Sequence, residues 1–262
     1  MPWVDVAGTD IHYHDRGSGT PFVFLHGALS SGETWYRQRD AFGDRYRVIA
    51  YDSVNHGFSS NSAREVPEPD RADELEGFLA RLGLDRPILA GQSMGGMTII
   101  RWAIRHPDAA RALIISGMGI PSEPMPRPGP LGERIGDEVL FLNVAESFTP
   151  AFYAAEPRLV DRYVRVRSTA TRLEAQRHPR QPTQANPAWE PSVLAEGIAR
   201  VSSPMLVLVG ALDGLRPLAD RLHQLVPGSR YVVLEGAGHS AHYEKFDEYC
   251  DTVNGFLAEH GL

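Results

Sequence analysis

Short apolar or β-branched runs recur along the chain, at residues 3–7, 11–14, 22–25, 48–51, 87–90, 112–116, 205–209 and 231–234. The inner ones are unbroken: Phe-Val-Phe-Leu, Ile-Leu-Ala, Leu-Ile-Ile and Leu-Val-Leu-Val. A strand with one wet face alternates apolar and polar residues, whereas a parallel strand covered by helices on both faces does not. Between these runs the apolar spacing turns helical, at 33–42, 69–82, 94–106, 217–226 and 244–260. Strands alternating with helices predict an α/β protein built on a mainly parallel sheet. The first two runs are separated by Gly8-Thr9-Asp10, which is expected to turn them into an antiparallel hairpin at one edge of the sheet.

One segment breaks the rhythm. From 119 to 200 no good strand pattern occurs. The segment opens with a Pro/Gly-rich stretch at 121–130, continues with helical patterns at 132–147 and 156–177, and passes through a proline-punctuated stretch at 179–191. It reads as a helical insertion over the carboxyl edge of the sheet. This divides the chain into a core, residues 1–118 with 201–262, and a helical cap or lid, 119–200.

Composition narrows the class without naming the chemistry. A chain of 262 residues with 42% hydrophobic residues can bury a core without staples. Its one cysteine, Cys250, allows no intrachain disulfide. The opening Met-Pro-Trp-Val-Asp-Val has no basic segment leading into an apolar run, so no signal peptide is expected. Apolar stretches such as 205–209 fall far short of the roughly 18 residues a membrane helix needs. The net charge of −7 argues against a nucleic-acid partner. The expectation is a soluble cytoplasmic protein acting on a small molecule, with no nucleic-acid or membrane partner and with self-association left open.

The strongest chemical signal is Gly91-Gln92-Ser93-Met94-Gly95-Gly96, placed between a strand pattern and a helix pattern. A turn sharp enough to present a serine at a helix amino end strains its backbone and leaves no room for side chains two positions away. Glycine occupies both of those positions. Ser93 would then be a nucleophile, with the backbone N–H of Met94 aimed at a developing oxyanion.

On these residues the chain resembles the α/β-hydrolase fold superfamily, over nearly its whole length. The family order of serine, then acid, then histidine implies Asp213, in Val209-Gly-Ala-Leu-Asp-Gly-Leu-Arg-Pro217, as the acid. It implies His239, in Gly236-Ala-Gly-His-Ser240, as the base, with His242 turned elsewhere. The resemblance further implies that the N–H of Ala28 joins that of Met94 in the oxyanion hole, that His26 is structural, and that no cofactor or metal is needed. Asp52-Ser-Val-Asn-His-Gly-Phe-Ser59 is similar to the family's Asp-x-Arg-Gly-His-Gly-x-Ser loop, but Val54-Asn55 replaces Arg-Gly.

The substrate is less legible. Leu29, Met118, Phe148, Trp189 and Leu215 are the candidates for an apolar pocket. Seven arginines between Arg158 and Arg180 face only Asp161 and Glu174, which fits either a solvated helix face or a site for a substrate carboxylate. Serine at the elbow disfavours haloalkane dehalogenases and epoxide hydrolases, and the absence of His-Gly-Gly-Pro-Gly disfavours proline iminopeptidases. Carbon–carbon hydrolases of meta-cleavage type usually carry Gly-Pro-Gly in the oxyanion loop and Trp after the base, where this chain has Ala-Leu-Ser and Ser240. The chain is most similar to small carboxylesterases and enol-lactonases, so ester or lactone hydrolysis through an acyl-enzyme is expected. The alternatives are carbon–carbon hydrolysis of a diketone, a lyase, acyltransferase or cofactor-free oxygenase on the same scaffold, and a ligand-binding protein.

Overall fold

The computed structural model describes residues 2–60, 71–123, 147–177 and 190–262. Each of the eight apolar runs is a strand: β1 (Trp3–Val6), β2 (Thr9–Arg16), β3 (Pro21–Leu25), β4 (Arg47–Tyr51), β5 (Ile88–Gln92), β6 (Ala112–Ser116), β7 (Met205–Gly210) and β8 (Arg230–Leu234). They form one sheet in the order β1-β2-β4-β3-β5-β6-β7-β8. β1 and β2 are antiparallel to their neighbours, and every pairing from β4 onward is parallel. The β1–β2 turn differs from the expected one. Val6 pairs with Thr9, so the turn is Ala7-Gly8, with φ of 50° and 82°, and Thr9 and Asp10 already belong to β2. Two consecutive positive φ values give the twist that a tight hairpin requires.

The helices are α1 (Tyr36–Phe42), entered through a 3₁₀ turn at Gly32–Trp35, α2 (Arg71–Arg81), α3 (Met94–Arg105), α4 (Pro150–Ala155), α5 (Pro157–Arg177), α6 (Pro191–Ile198), α7 (Arg216–Leu225), α8 (Ala241–Glu244) and α9 (Phe246–Glu259). Three departures from the expected pattern have local causes. The pattern at 244–260 is broken at Lys245 into α8 and α9. Neither α4 nor α6 was expected as a helix, yet both start with proline, whose fixed φ and missing N–H suit a first helical turn. Thr149 caps α4 by accepting the N–H of Phe152 on its hydroxyl at 3.3 Å. Residues 124–146 and 178–189 lie outside the described residues, and with them most of the helical pattern at 132–147.

The sheet separates two cores. Val23, Leu89, Leu113, Ile115, Val207 and Val209 face the helices α2, α3, α6 and α7. The alternate strand residues, among them Phe22, Phe24, Ile114, Leu206 and Leu208, meet α1 and α9. With both faces covered, β5, β6 and β7 are buried at every position, which is why their sequences are continuous apolar runs.

His242 is sealed into the second side, between Trp35 and Tyr249, with ring centroids 4.3 and 6.2 Å away. Its ring nitrogens have no hydrogen-bond partner among the described residues. Burial first, then the neighbouring His239 and Arg167, push its pKa down to about 3. The unfolded chain takes up this proton near pH 6.5 and the folded chain does not, so stability falls as pH drops below about 6.5. By pH 5 the loss from this one residue is about 2 kcal/mol. His242→Phe keeps the ring packing and removes the titration. Urea unfolding at pH 7 and pH 5 should therefore show a loss of stability about 2 kcal/mol smaller in the variant than in the wild type. An equal loss in both proteins would exclude His242 as the group responsible.

Candidate active site

β5 delivers its chain end straight into α3, and the one residue between them is Ser93, with φ 52° and ψ −113°. This combination lies outside the ordinary regions for an L-residue and persists only when its surroundings enforce it. Two close approaches do so. A Cβ on Gly91 would lie 2.4 Å from the backbone of Gly95, and one on Gly95 would lie 2.3 Å from the carbonyl oxygen of Leu25 in β3. The serine is pinned from both sides, its N–H donating to Ser116 O at 2.9 Å and its C=O accepting from Met97 N at 3.0 Å. Met94 opens α3, so its N–H belongs to the first helical turn and has no intrahelical acceptor.

Asp213 and His239 follow the carboxyl ends of β7 and β8. The carboxylate is only 1% exposed, and both its oxygens lie close to His239 Nδ1, at 3.1 and 3.0 Å. Leu215 N–H donates to Oδ1 at 2.9 Å and fixes the rotamer. A carboxylate can only accept, so Nδ1 carries the proton and Nε2 of a neutral ring keeps its lone pair. Gly117 shows how near these elements come to the elbow. It follows Ser116, the partner of Ser93, and a Cβ there would sit 3.0 Å from Asp213 Oδ2 and 3.3 Å from His239 Nδ1. The amide of Gln92 donates to His239 O at 3.3 Å, a direct tie from the residue before Ser93 to the histidine loop. That loop is shaped further by Glu244. Its carboxylate accepts Gly238 N–H at 2.8 Å, Thr149 N–H at 3.0 Å and the Thr149 hydroxyl.

The loop after β3 completes the group. His26 donates Nδ1–H to Gly27 O at 2.7 Å and accepts Ser53 N–H on Nε2 at 3.1 Å. Burial pushes its pKa down to about 4, so the ring is neutral and the tautomer is set by these two bonds. Gly27 C=O and Ala28 N–H share one peptide unit, in which the two bonds point in opposite directions. By holding the carbonyl, His26 aims the Ala28 N–H. The next residue, Leu29, is buried at φ 58°. Asp52 braces the same loop by accepting Gly32 N–H at 2.7 Å, Phe58 N–H at 2.9 Å and His12 Nδ1 at 2.9 Å. Burial raises its pKa, but the His12 hydrogen bond, the nearby His26 and the two backbone donors outweigh that and leave it below the ordinary carboxylate value.

Of the residues expected to line a pocket, Leu29, Met118 and Phe148 are buried and Leu215 is half-buried, while Trp189 lies outside the described residues. Phe148 packs with Phe152, Tyr163 and Tyr243. The arginine-rich stretch divides. Arg162 pairs with Glu33 at 2.9 Å and stacks over Tyr36, Arg165 pairs with Asp161, and Arg167 is buried. Gln92, Glu244, Tyr163 and Arg167 were not singled out in the sequence. Only the last two carried a signal, an i, i+4 spacing that places both on one face of α5. Among the described residues, no group of three His, Cys, Asp or Glu side chains is disposed to hold a metal ion.

The family model described as "Alpha/beta hydrolase family" matches residues 22–252. A 2-hydroxy-6-oxononadienedioate/2-hydroxy-6-oxononatrienedioate hydrolase of Paraburkholderia phymatum is 28% identical over 263 residues, 95% of this chain and 91% of that protein. Among solved structures, the enol-lactonase of Burkholderia xenovorans superposes with a TM-score of 0.80 at 24% identity, over 98% of this chain and 100% of that one. An esterase of Thermogutta terrifontis gives 0.79 at 21% identity, over 99% of each chain. With a model match across most of its length, the chain belongs to the alpha/beta hydrolase family.

Proposed function

We propose that this protein is a serine hydrolase that cleaves a carboxylic ester or lactone of a small, largely apolar substrate. The observation that carries this reading is a strained Ser93 at the amino end of α3, with the neighbouring Gln92 bonded to the His239 loop and His239 Nδ1 held by the buried Asp213 carboxylate. A serine hydroxyl is a poor nucleophile until a base takes its proton, and a histidine locked with Nδ1 protonated presents Nε2 for that purpose.

In this mechanism Ser93 Oγ attacks the substrate carbonyl as His239 Nε2 accepts its proton. The N–H groups of Met94 and Ala28 receive the oxyanion, and each such donor contributes about 3–4 kcal/mol in the transition state. Asp213 stabilises the imidazolium and is not itself protonated. The proton passes to the departing alkoxide, leaving an acyl-enzyme. Water activated by His239 then attacks the acyl carbon and releases the acid. No step calls on a metal or cofactor. We take residues 119–200 as the cap, with Leu29, Met118, Phe148, Trp189 and Leu215 toward the acyl or alcohol group.

A second reading has its own support, since the Paraburkholderia phymatum relative is named for a dienedioate substrate. Carbon–carbon hydrolysis of such a compound uses the same nucleophile and base. Against it stand Ala28-Leu29-Ser30 in the oxyanion loop and Ser240 after the base.

The deciding experiment measures hydrolysis of p-nitrophenyl acetate, butyrate and octanoate and of a simple lactone. Wild type should turn over, and Ser93→Ala should lose at least about 10³-fold in kcat/KM. A wild type inert on all of these but able to open a 2-hydroxy-6-oxo-dienoate would replace the ester reading with the second one. Asp213→Asn should lose about 10³- to 10⁴-fold in kcat with the fold intact, because the amide favours the wrong histidine tautomer. A loss below tenfold would remove Asp213 from the mechanism.

A further inference from the structure

Arg167 carries a charge into the interior. It projects from α5, is only 4% exposed, and reaches two acceptors. Nη2 donates to Ala28 O at 3.1 Å and Nη1 to the Tyr163 hydroxyl oxygen at 3.0 Å. The guanidinium carbon also lies 5.4 Å from the centre of the Tyr163 ring. Tyr163 Oη in turn lies 2.7 Å from Ser240 Oγ and donates toward Ser147 Oγ at 3.3 Å, while Ser240 N–H donates to Ser147 O at 2.8 Å. Tyr163 and Ser240 are themselves buried.

A continuous hydrogen-bonded chain therefore runs from Ala28 in the oxyanion loop, through Arg167 and Tyr163 on α5, to Ser240, the residue directly after His239. Its Ala28 end meets a place that needs holding. The Ala28–Leu29 peptide leads into a left-handed leucine, a conformation that costs an L-residue about 1–2 kcal/mol. His26 fixes the peptide before Cα of Ala28 and Arg167 fixes the one after it, so together they leave the Ala28 N–H no freedom to turn.

We propose that Arg167 is a positioning residue for the reaction at Ser93, acting through Tyr163 to hold the oxyanion loop and the histidine loop in register with α5. This rests on the serine-hydrolase reading above. It requires no substrate charge and no contact between Arg167 and the ester.

The test compares wild type, Arg167→Met, Arg167→Lys and Tyr163→Phe. It follows phosphonylation of Ser93 by a small neutral fluorophosphonate, whose phosphoryl oxygen occupies the oxyanion hole, and kcat and KM for p-nitrophenyl acetate. Thermal unfolding and circular dichroism check that each variant is folded. Arg167→Met should slow phosphonylation and lower kcat by about 10- to 100-fold, the size of effect that follows from a small misplacement of the reacting groups, with KM within about twofold. Arg167→Lys, able to reach one acceptor, should recover part of the loss. Tyr163→Phe, which keeps the ring packing, should lose at least about threefold in kcat and carries the test if Arg167→Met does not fold.

Phosphonylation of Arg167→Met at the wild-type rate would overturn the inference, as would a Tyr163→Phe variant with unchanged kcat. A loss confined to KM, or to carboxylate-bearing esters, would make Arg167 a substrate-binding group and would equally overturn it. Failure of wild type itself to react with the fluorophosphonate would overturn the serine-hydrolase reading first, and the present inference with it.

Discussion

The rest of the site depends on how closely α3 can approach β3 and β5. Gly95 lies so near Leu25 O that a side chain there would have to occupy the same space, and Gly91 stands in the same relation to the backbone of Gly95. Because those contacts are backbone to backbone, nothing flexible can yield. The chain must reverse within one residue, and Ser93 takes the strain in its own dihedrals. The strain in turn does two things. It lets the strand end and the helix begin on either side of a single residue, and it leaves the serine against the first turn of α3, whose N–H groups have no acceptors within the helix. A relaxed turn of even two more residues would separate those features.

Around the elbow, buried charge is used to fix loops rather than to react. The buried Asp52 and Arg167 and the half-buried Glu244 each bind backbone groups of a loop near Ser93, and a charge withdrawn from water is tolerable only when such partners satisfy it. The arrangement is complementary. Asp52 and Glu244 accept N–H groups, and Arg167 donates to a carbonyl. His26 performs the same service without charge, because burial depresses its pKa to about 4 and the neutral ring can accept Ser53 N–H on Nε2. His12 lies against Asp52, and Val54, which stands where the resembling loop has arginine, is buried at 1% exposure.

What could be read in the sequence was whatever local chemistry dictates. The inner strands were legible because helices cover both faces of the sheet there, and the elbow because its glycines are a steric necessity. Asp213 and His239 were reached through the order of residues that the family resemblance implies, each following a recognisable strand, and the structure pairs the two. The β1–β2 turn was misplaced because Gly-Thr-Asp has the composition of a turn, whereas the pairing of Val6 with Thr9 decides its position. The pairs His12–Asp52, Glu244–Gly238 and Arg167–Ala28 had no local signature. Arg167 and Ala28 are 139 residues apart, and one arginine among seven gives no hint that it is the buried one. The split at Lys245 was hidden for a related reason, since the apolar spacing of 244–260 continues through a backbone kink that it cannot reveal.

The machinery also explains why family membership alone does not name the bond that is cleaved. In the proposed mechanism Ser93, His239 and two backbone donors would act on any carbonyl that can become tetrahedral, so an ester, a lactone and a ketone beside a scissile carbon–carbon bond would pass through the same adduct. They diverge when that adduct collapses. An alkoxide leaves once it receives the proton held on His239, whereas a carbanion also needs an electron sink within the substrate and groups that protonate it on carbon. Among the described residues, the buried guanidinium of Arg167 directs Nη2 to Ala28 O and Nη1 to the Tyr163 hydroxyl. A brace for the oxyanion loop, as proposed for that guanidinium, would serve the shared adduct in either case, so the bond that is cleaved is decided by what the substrate supplies when the adduct collapses.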